Sequence, residues 1–140
     1  MLSFRKQEHP AIPEQPSQPA HRFRYGRRHR LSGRGAYTAV LSRGRRYHGP
    51  GMVVVARPNG LPRMRLGLSV GRRCGRAVVR NRLKRVVRES FRLAPGRMLG
   101  GLDVVVIPRR PEEMQDPHAV RTQLDRILRT AHHQLAARLP

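Results

Sequence analysis

The pattern of apolar positions predicts strands in the middle of the chain. The runs MVVVARP (52–58) and RMRLGLSVG (63–71) are short and apolar, and the turn signal Pro58-Asn59-Gly60 separates them. Side chains in the second run alternate, with Leu66, Leu68 and Val70 on one face and Arg65, Gly67 and Ser69 on the other. The run LDVVVIPRR (102–110) is continuously apolar at its centre, which is typical of a central strand. The segment RRYHG (45–49) is a further candidate strand.

Helical periodicity predicts helices before, between and after these strands. RGAYTAVLSRG predicts a short helix over about 34–43, with Gly44 at the position of a C-terminal cap. A basic helix is predicted from about Ala77 to Leu93, ended by Pro95 and Gly96. The last helix starts at Asp116-Pro117, a capping residue followed by proline. Its apolar stripe consists of Val120, Leu124, Ile127, Leu128, Ala131 and Leu135. The order αβββαβα predicts an α+β fold, a mixed two-layer α/β sandwich.

Charge is distributed unevenly along the chain. Its 140 residues include 30 Lys and Arg against 8 Asp and Glu, for a formal net charge of +22. No acidic residue occurs from Gln15 through Arg88, so the positive field is concentrated on roughly residues 21–92. A surface of this sign and density attracts polyanions, chiefly nucleic acid or an anionic membrane.

The ends of the chain and its single cysteine limit the alternatives. Residues 1–20 are rich in Pro and Gln and are expected to form a disordered tail. Residues 21–33 are interpreted as a basic arm, and residues 34–140 as one domain. The apolar runs are too short to span a bilayer, so no membrane association is expected. Because Cys74 is the only cysteine, no internal disulfide is possible, which suits a reducing cytoplasm.

The basic helix divides into an apolar face and a cationic face. The predicted core face comprises Val79, Leu83, Val86, Val87, Ser90 and Ala94, with Phe91 at its edge. The opposite side is predicted to carry two ridges: Arg80, Lys84 and Arg88, and beside them Asn81, Arg85 and Arg92. Such ridges suit phosphates lying along a groove. The alternative is an ordinary solvated surface, but ordinary surface helices mix charges of both signs. Composition does not separate RNA from DNA, and Asn81 could contact a base edge, a 2′-hydroxyl or a metal-bound water.

No catalytic site is predicted on the protein itself. The chain has 7 His, but His9, His21 and His29 lie in the tail and arm, and no pair has metal-ligand spacing. His132 and His133 are adjacent and cannot share one helix face. We therefore expect neither catalytic residues nor a metal site in this chain.

One segment resembles a known family. GLSVGRRCGRAVVRNRLKRVVRESFR (67–92) is similar to the motif of the protein subunit of bacterial ribonuclease P, which joins a Gly-containing strand, a basic turn and an Arg-Asn-Arg helix. The segments RLSGRGAYTAVLSRGRR and LDVVVIPR extend the resemblance over about residues 30–135. It implies the same αβββαβα order, with a left-handed strand–helix–strand crossover.

The resemblance also implies a function. In that family a catalytic RNA removes the 5′ leader of precursor tRNA with Mg²⁺ held mainly by the RNA. The protein binds the catalytic RNA and the leader. Catalytic RNA and precursor tRNA are thus the expected partners, with no membrane and no protein partner required, in the cytoplasm. A structural RNA-binding protein, such as a ribosomal protein, is the alternative hypothesis.

Site residues follow from the resemblance position by position. The predicted RNA-binding residues are Arg72, Arg73, Arg80, Asn81, Arg82, Lys84, Arg85, Arg88 and Arg92. The predicted leader-binding cleft, between the first helix and the sheet, contains Tyr37, Leu41, Arg65 and Ser69. An aromatic at Tyr37 can stack on an unpaired base; core packing is the alternative role for this residue. Leu41 stands where many members have a second aromatic, and Ala36 replaces an acidic residue.

Overall fold

A four-stranded mixed sheet forms the centre of the fold in a computed structural model that describes residues 25–136. The strands are β1 (Arg45–Gly49), β2 (Met52–Pro58), β3 (Arg65–Leu68) and β4 (Leu102–Pro108). The α-helices within the described residues are α1 (Arg34–Arg43), α2 (Ala77–Leu93) and α3 (Pro117–Leu135). The predicted α+β class and the order αβββαβα are confirmed. The predicted tail, the first residues of the arm and residues 137–140 lie outside the described range.

Strand β4 lies in the middle of the sheet, as its apolar run predicts. The strand order is β1-β2-β4-β3, and β4 pairs antiparallel with β2 and parallel with β3. The crossover from β3 through α2 to β4 therefore joins neighbouring parallel strands. Its left-handedness stays a prediction of the family resemblance.

Apolar residues cover both faces of the sheet. On one face Val54, Val104 and Val106 share a buried cluster with residues of α2 and α3. On the other face Val55 and Val105 share a smaller cluster with residues of α1. Burial on both sides explains why the central runs are continuously apolar rather than alternating.

The buried stripe of α2 is rotated from the predicted position. Phe91, expected at the edge, is fully buried, whereas Val79 and Val86 are only partly buried. The ring of Tyr25 packs edge-on against Phe91 with centroids 5.9 Å apart, and the guanidinium of Arg97 lies 5.8 Å from the same ring. Tyr25 and Arg97 lie outside α2, so the periodicity of the helix sequence does not predict these two contacts.

Part of the predicted basic arm belongs to the folded domain. Residues Arg27–His29 form a 3₁₀ turn, and Arg30 makes an isolated parallel bridge with Leu66 of β3. The N–H of Leu31 donates to the carbonyl of Leu66 at 2.9 Å, and the Leu31 side chain is buried. The segment thereby covers part of the free edge of β3.

Both predicted helix caps are confirmed, although Gly44 is needed for a different reason. It lies in extended backbone with φ −79°, so left-handed geometry is not required. A Cβ on Gly44 would lie 2.5 Å from the carbonyl oxygen of Val40 and 2.7 Å from Cγ1 of Val55. Glycine is therefore needed for close approach of α1 to the sheet. At α3, Oδ1 of Asp116 accepts a hydrogen bond from the N–H of His118 at 3.0 Å.

Candidate RNA interface

The first cationic ridge of α2 borders the core instead of facing away from it. Arg80 and Lys84 are half-buried, and Arg80 Nε donates to the carbonyl of Gly75 at 3.1 Å. The prediction that this ridge lies opposite the apolar face is wrong for Arg80 and Lys84, whereas Arg88 is exposed. Because the buried stripe includes Phe91, Arg80 and Lys84 lie along its margin.

A cavity of about 490 Å³ opens beside this ridge, where α2, the edge of β3 and the segment before α1 meet. We call it the strand-edge groove. Arg30, Lys84 and Arg88 supply its positive charge, and Tyr25 and Tyr37 line it together with leucines of β3 and the segment before α1. No acidic residue among residues 25–136 lines it. The groove therefore combines aromatic and apolar surface with cations on two sides.

Tyr37 is held in this groove by strand β3. The N–H of Leu68 donates to Oη of Tyr37 at 3.1 Å, which satisfies a backbone group on the free edge of the sheet. The ring lies over Gly67, and a Cβ at that position would lie 2.8 Å from Cε2, Cζ and Oη of Tyr37. The glycine of the sequence motif thus provides the space for the tyrosine ring.

We expect Gly67→Ala to destabilise the protein by about 1–3 kcal/mol, because the added methyl overpacks the Tyr37 ring against the sheet. Urea unfolding measures this loss. Gly71→Ala is the matched control, since no atom lies within 4 Å of a Cβ there. Combining Gly67→Ala with Tyr37→Ala should cost much less than the sum of the two changes. Strict additivity would show that the ring does not need this glycine.

A second cavity, of about 430 Å³, lies on the outer side of α2 and is called the helix groove. Its lining residues include Tyr25, Asn81, Lys84, Arg85, Arg88 and Arg92. Glu89 also lines it and accepts from Arg92, with Oε1 3.2 Å from Nε; this hydrogen bond lowers the pKa of Glu89. Glu89, the one carboxylate that the described residues contribute to the groove, is therefore paired with a neighbour on the same helix. The other cations of the lining keep its positive charge.

Tyr25, Lys84 and Arg88 line both grooves, so the two cavities share a wall. The Tyr25 ring stacks near His29, with centroids 6.5 Å apart, and the guanidinium of Arg30 lies 5.7 Å from the ring centre. Burial raises the pKa of the Tyr25 phenol, and the nearby Arg88 and Arg30 guanidiniums oppose that rise. The phenol thus stays neutral near pH 7.

The remaining predicted RNA-binding residues lie elsewhere. Arg72 and Arg73 are exposed on a 3₁₀ turn just before α2. The guanidinium of Arg82 donates to Oε1 of Gln115 at 3.0 Å, in the loop before α3. The two grooves are lined by five of the nine predicted residues: Asn81, Lys84, Arg85, Arg88 and Arg92. The other four, Arg72, Arg73, Arg80 and Arg82, line neither groove.

Of the four predicted leader-cleft residues, only Tyr37 lines the strand-edge groove. Arg65 makes a bidentate ion pair with buried Asp103, Nε–Oδ1 and NH2–Oδ2 both 2.7 Å, which raises the pKa of Arg65. The charge of Arg65 is thus neutralised in an ion pair that links β3 to β4. Leu41 packs against the sheet cluster beneath α1, and the N–H of Ser69 donates to the carbonyl of Val106.

A third cavity lined by cations, at the turn between β1 and β2, was not predicted from the sequence. Arg46, His48, Arg109 and Arg110 line a cavity of about 380 Å³ there. The carbonyl of Gly51 accepts from the N–H groups of Arg109 and Arg110 at 2.7 and 3.0 Å, which fixes the loop after β4 to this turn. Arg46 and Arg109 are far apart in the sequence, so no local sequence pattern predicts that they line the same cavity.

Comparison with known proteins identifies the family. The sequence model of the family Ribonuclease P matches residues 25–132. The chain belongs to the ribonuclease P protein family. The match starts at Tyr25, so it includes the segment that walls the strand-edge groove. Family membership implies RNA binding within a tRNA-processing ribonucleoprotein and favours that hypothesis over a ribosomal protein.

Individual family members are similar to this chain over most of their own length. The ribonuclease P protein component of Oleidesulfovibrio alaskensis is 45% identical over 97 residues, covering 68% of this chain and 75% of that protein. The RNase P protein from Thermotoga maritima has a solved structure with TM-score 0.65 and 39% identity, covering 72% of this chain and 96% of that one. The RNase P protein of Staphylococcus aureus gives TM-score 0.63 at 28% identity, covering 74% and 94%.

The grooves of this family member do not fit a resident magnesium ion. Their linings are cationic, and the one carboxylate, Glu89, is bound to Arg92, whereas Mg²⁺ prefers free carboxylate and carbonyl oxygens. Among residues 25–136, no group of three His, Cys, Asp or Glu side chains is placed to hold a metal. No helix in that range is long and apolar enough to cross a membrane.

Proposed function

We propose that this chain binds the catalytic RNA of ribonuclease P and the 5′ leader of precursor tRNA, and so supports Mg²⁺-dependent removal of the leader in the cytoplasm. The observation that carries the proposal is the pair of adjoining cationic grooves on one side of α2. They share Lys84 and Arg88, so one wall can serve two RNA strands. The ring of Tyr25 lines both grooves, and the ring of Tyr37 lines only the strand-edge groove.

The chemistry of the two grooves suits two different contacts. The helix groove offers cations and the amide of Asn81, which fits the phosphates and 2′-hydroxyls of a folded RNA. The strand-edge groove adds a second tyrosine ring, that of Tyr37, and three leucines, which suit the unpaired bases of a leader. The positive charge between them reduces repulsion between the catalytic RNA and its substrate.

In this proposal the metal ions belong to the RNA. Magnesium, when bound there, stabilises the charge that develops as the phosphodiester bond breaks. The part of this chain is to bind and position two polyanions. The proposal is tested by titrating Mg²⁺ in cleavage reactions of a cognate catalytic RNA, with and without this protein. An unchanged Mg²⁺ requirement would contradict the proposal.

Tyr37→Ala is expected to weaken binding of leader-bearing precursor tRNA, because loss of a stacking ring costs about 1–3 kcal/mol per base. Tyr37→Phe should bind normally, since it keeps the ring. It should lose about 1 kcal/mol of unfolding free energy, because the Leu68 N–H loses its partner. Affinities for substrates with and without a leader, measured with the assembled holoenzyme, check this. Equal losses on both substrates would indicate misfolding rather than a leader contact.

A further inference from the structure

We infer that His29 is a positioning residue for RNA binding: its neutral imidazole holds residues 25–31 against the rest of the fold, and acid releases them. Two side chains of this segment line the grooves, Tyr25 both of them and Arg30 the strand-edge groove. The position of the segment therefore affects the shape of both cavities. The RNA part of this inference rests on the proposed function, whereas the pH-dependent hold on the segment does not.

An isolated bridge to β3 and a 3₁₀ turn, rather than a regular strand, hold this segment. The N–H of Leu31 donates to the carbonyl of Leu66 at 2.9 Å, and Nε of Arg63 donates to the carbonyl of Arg28 at 3.1 Å. A segment attached by isolated hydrogen bonds opens locally at a lower free-energy cost than a strand inside the sheet. One further contact can therefore decide whether the segment stays in place.

His29 closes the 3₁₀ turn through its ring. Nδ1 of His29 accepts a hydrogen bond from the N–H of Gly26 at 3.3 Å, and the N–H of His29 donates to the carbonyl of Gly26 at 3.0 Å. Because Nδ1 accepts only while it carries no proton, the first of these contacts requires the neutral ring. The ring also stacks near Tyr25, which packs against buried Phe91. The neutral ring thus connects the turn to a side chain that lines both grooves.

The surroundings of His29 disfavour a protonated ring. Burial lowers the pKa of His29 most, and repulsion from Arg97 after α2, Arg28 in the same turn and Arg63 before β3 lowers it further. Burial raises the pKa of the Tyr25 phenol stacked on the ring, so the phenol stays neutral in acid. The pKa of His29 is therefore lower in place than in a released segment. The segment is held most firmly above about pH 6.5, and less firmly as the pH falls.

Hydrogen exchange of the free, full-length protein tests this hold without RNA. The protection factor of the Leu31 amide should fall about fivefold or more between about pH 7.5 and about pH 5, because this N–H loses its partner when the segment is released. The amides of β4 should keep their protection. The matched variant is His29→Asn, whose side-chain oxygen accepts a hydrogen bond but does not titrate. Its Leu31 protection should stay constant over the same range.

Affinity for the catalytic RNA tests the consequence for binding. Wild-type protein and His29→Asn should bind equally at about pH 8, and the wild type about threefold more weakly than the variant at about pH 5, the loss of one hydrogen bond. The ratio of the two affinities cancels the charge that the other histidines gain in acid. Wild-type protein that binds as tightly as the variant in acid, or more tightly, would overturn the inference, because a protonated His29 would then not weaken RNA binding.

Two further outcomes separate this inference from the proposed function. Constant Leu31 protection in the wild type, or an equal loss at Leu31 and in β4, would overturn the inference whatever the RNA measurements show. If Leu31 protection changes as expected but neither protein lowers the Mg²⁺ requirement of the catalytic RNA, the proposed function is overturned and the hold of His29 on the segment stands. Should His29→Asn fail to fold, the wild-type exchange measurement decides.

Discussion

RNA-free protein is expected to leave precursor tRNA intact at every Mg²⁺ concentration. Cleaving a phosphodiester requires an activated water and stabilisation of the developing charge, which metal ions commonly supply. The grooves offer cations, tyrosines and leucines, and their one carboxylate is bound to Arg92. The catalytic RNA alone should cleave slowly at high Mg²⁺, and the RNA with protein should cleave efficiently at Mg²⁺ of about a few millimolar. Gel analysis of 5′-labelled precursor tRNA checks all three reactions.

Salt supplies the control for this first prediction. Monovalent salt screens repulsion between the catalytic RNA and its substrate, so raising it should replace part of the protein's effect on RNA-alone cleavage. It should not reproduce a preference for leader-bearing substrates, because that preference depends on contacts with the protein. Accurate cleavage by protein shown to be free of RNA would contradict the prediction and place an active site on the polypeptide.

Replacing Arg80, Lys84 and Arg88 together by Ala is expected to weaken assembly with the catalytic RNA about a hundredfold or more, at about 1 kcal/mol or more for each lost phosphate contact. Each contacting charge that is removed should also reduce the salt slope of binding by roughly one unit. Titrations of the RNA with the variant at several salt concentrations give both quantities. Since Lys84 and Arg88 line both grooves, affinity for the leader should fall as well.

The matched control is the triple change of Arg121, Arg126 and Arg129 to Ala on α3. It removes the same formal charge from a helix whose residues line neither groove. A purely non-specific field would make the two triple variants equally weak. We expect the α3 variant to retain most of the affinity and nearly the whole salt slope. An unaltered slope in the α2 variant would show that this ridge does not contact phosphate.

Local patterns predicted the elements well because each depends on nearby residues. The bounds of α1 and α2, and the cap at Asp116, are those expected from periodicity and capping chemistry. The orientation of α2 was predicted less well. Phe91 in its buried stripe is contacted by Tyr25 and Arg97, which approach from other segments. Periodicity assigns a face to a helix, but the neighbours decide how far that face is turned.

Residues that line the grooves were predicted where the family motif is continuous and missed where a groove is assembled from distant segments. All six cations of α2 were predicted, and seven of the nine predicted RNA-binding residues lie on that helix. Arg30 also lines the strand-edge groove but was not predicted, because nothing in its sequence context brings it near Lys84. Arg65 was assigned to the leader cleft, yet Asp103, 38 residues further along, neutralises it.

The sequence by itself determined the order of elements, the positive charge and the family, because each of these is readable from composition or from neighbouring residues. Only the tertiary structure decided which charges stay available. The β3–β4 pairing brings Asp103 to Arg65, and the bridge at Leu66 brings Arg30 into the groove beside α2. A carboxylate within a few ångströms offsets a cation's attraction for phosphate, and such distances between remote residues are set by packing.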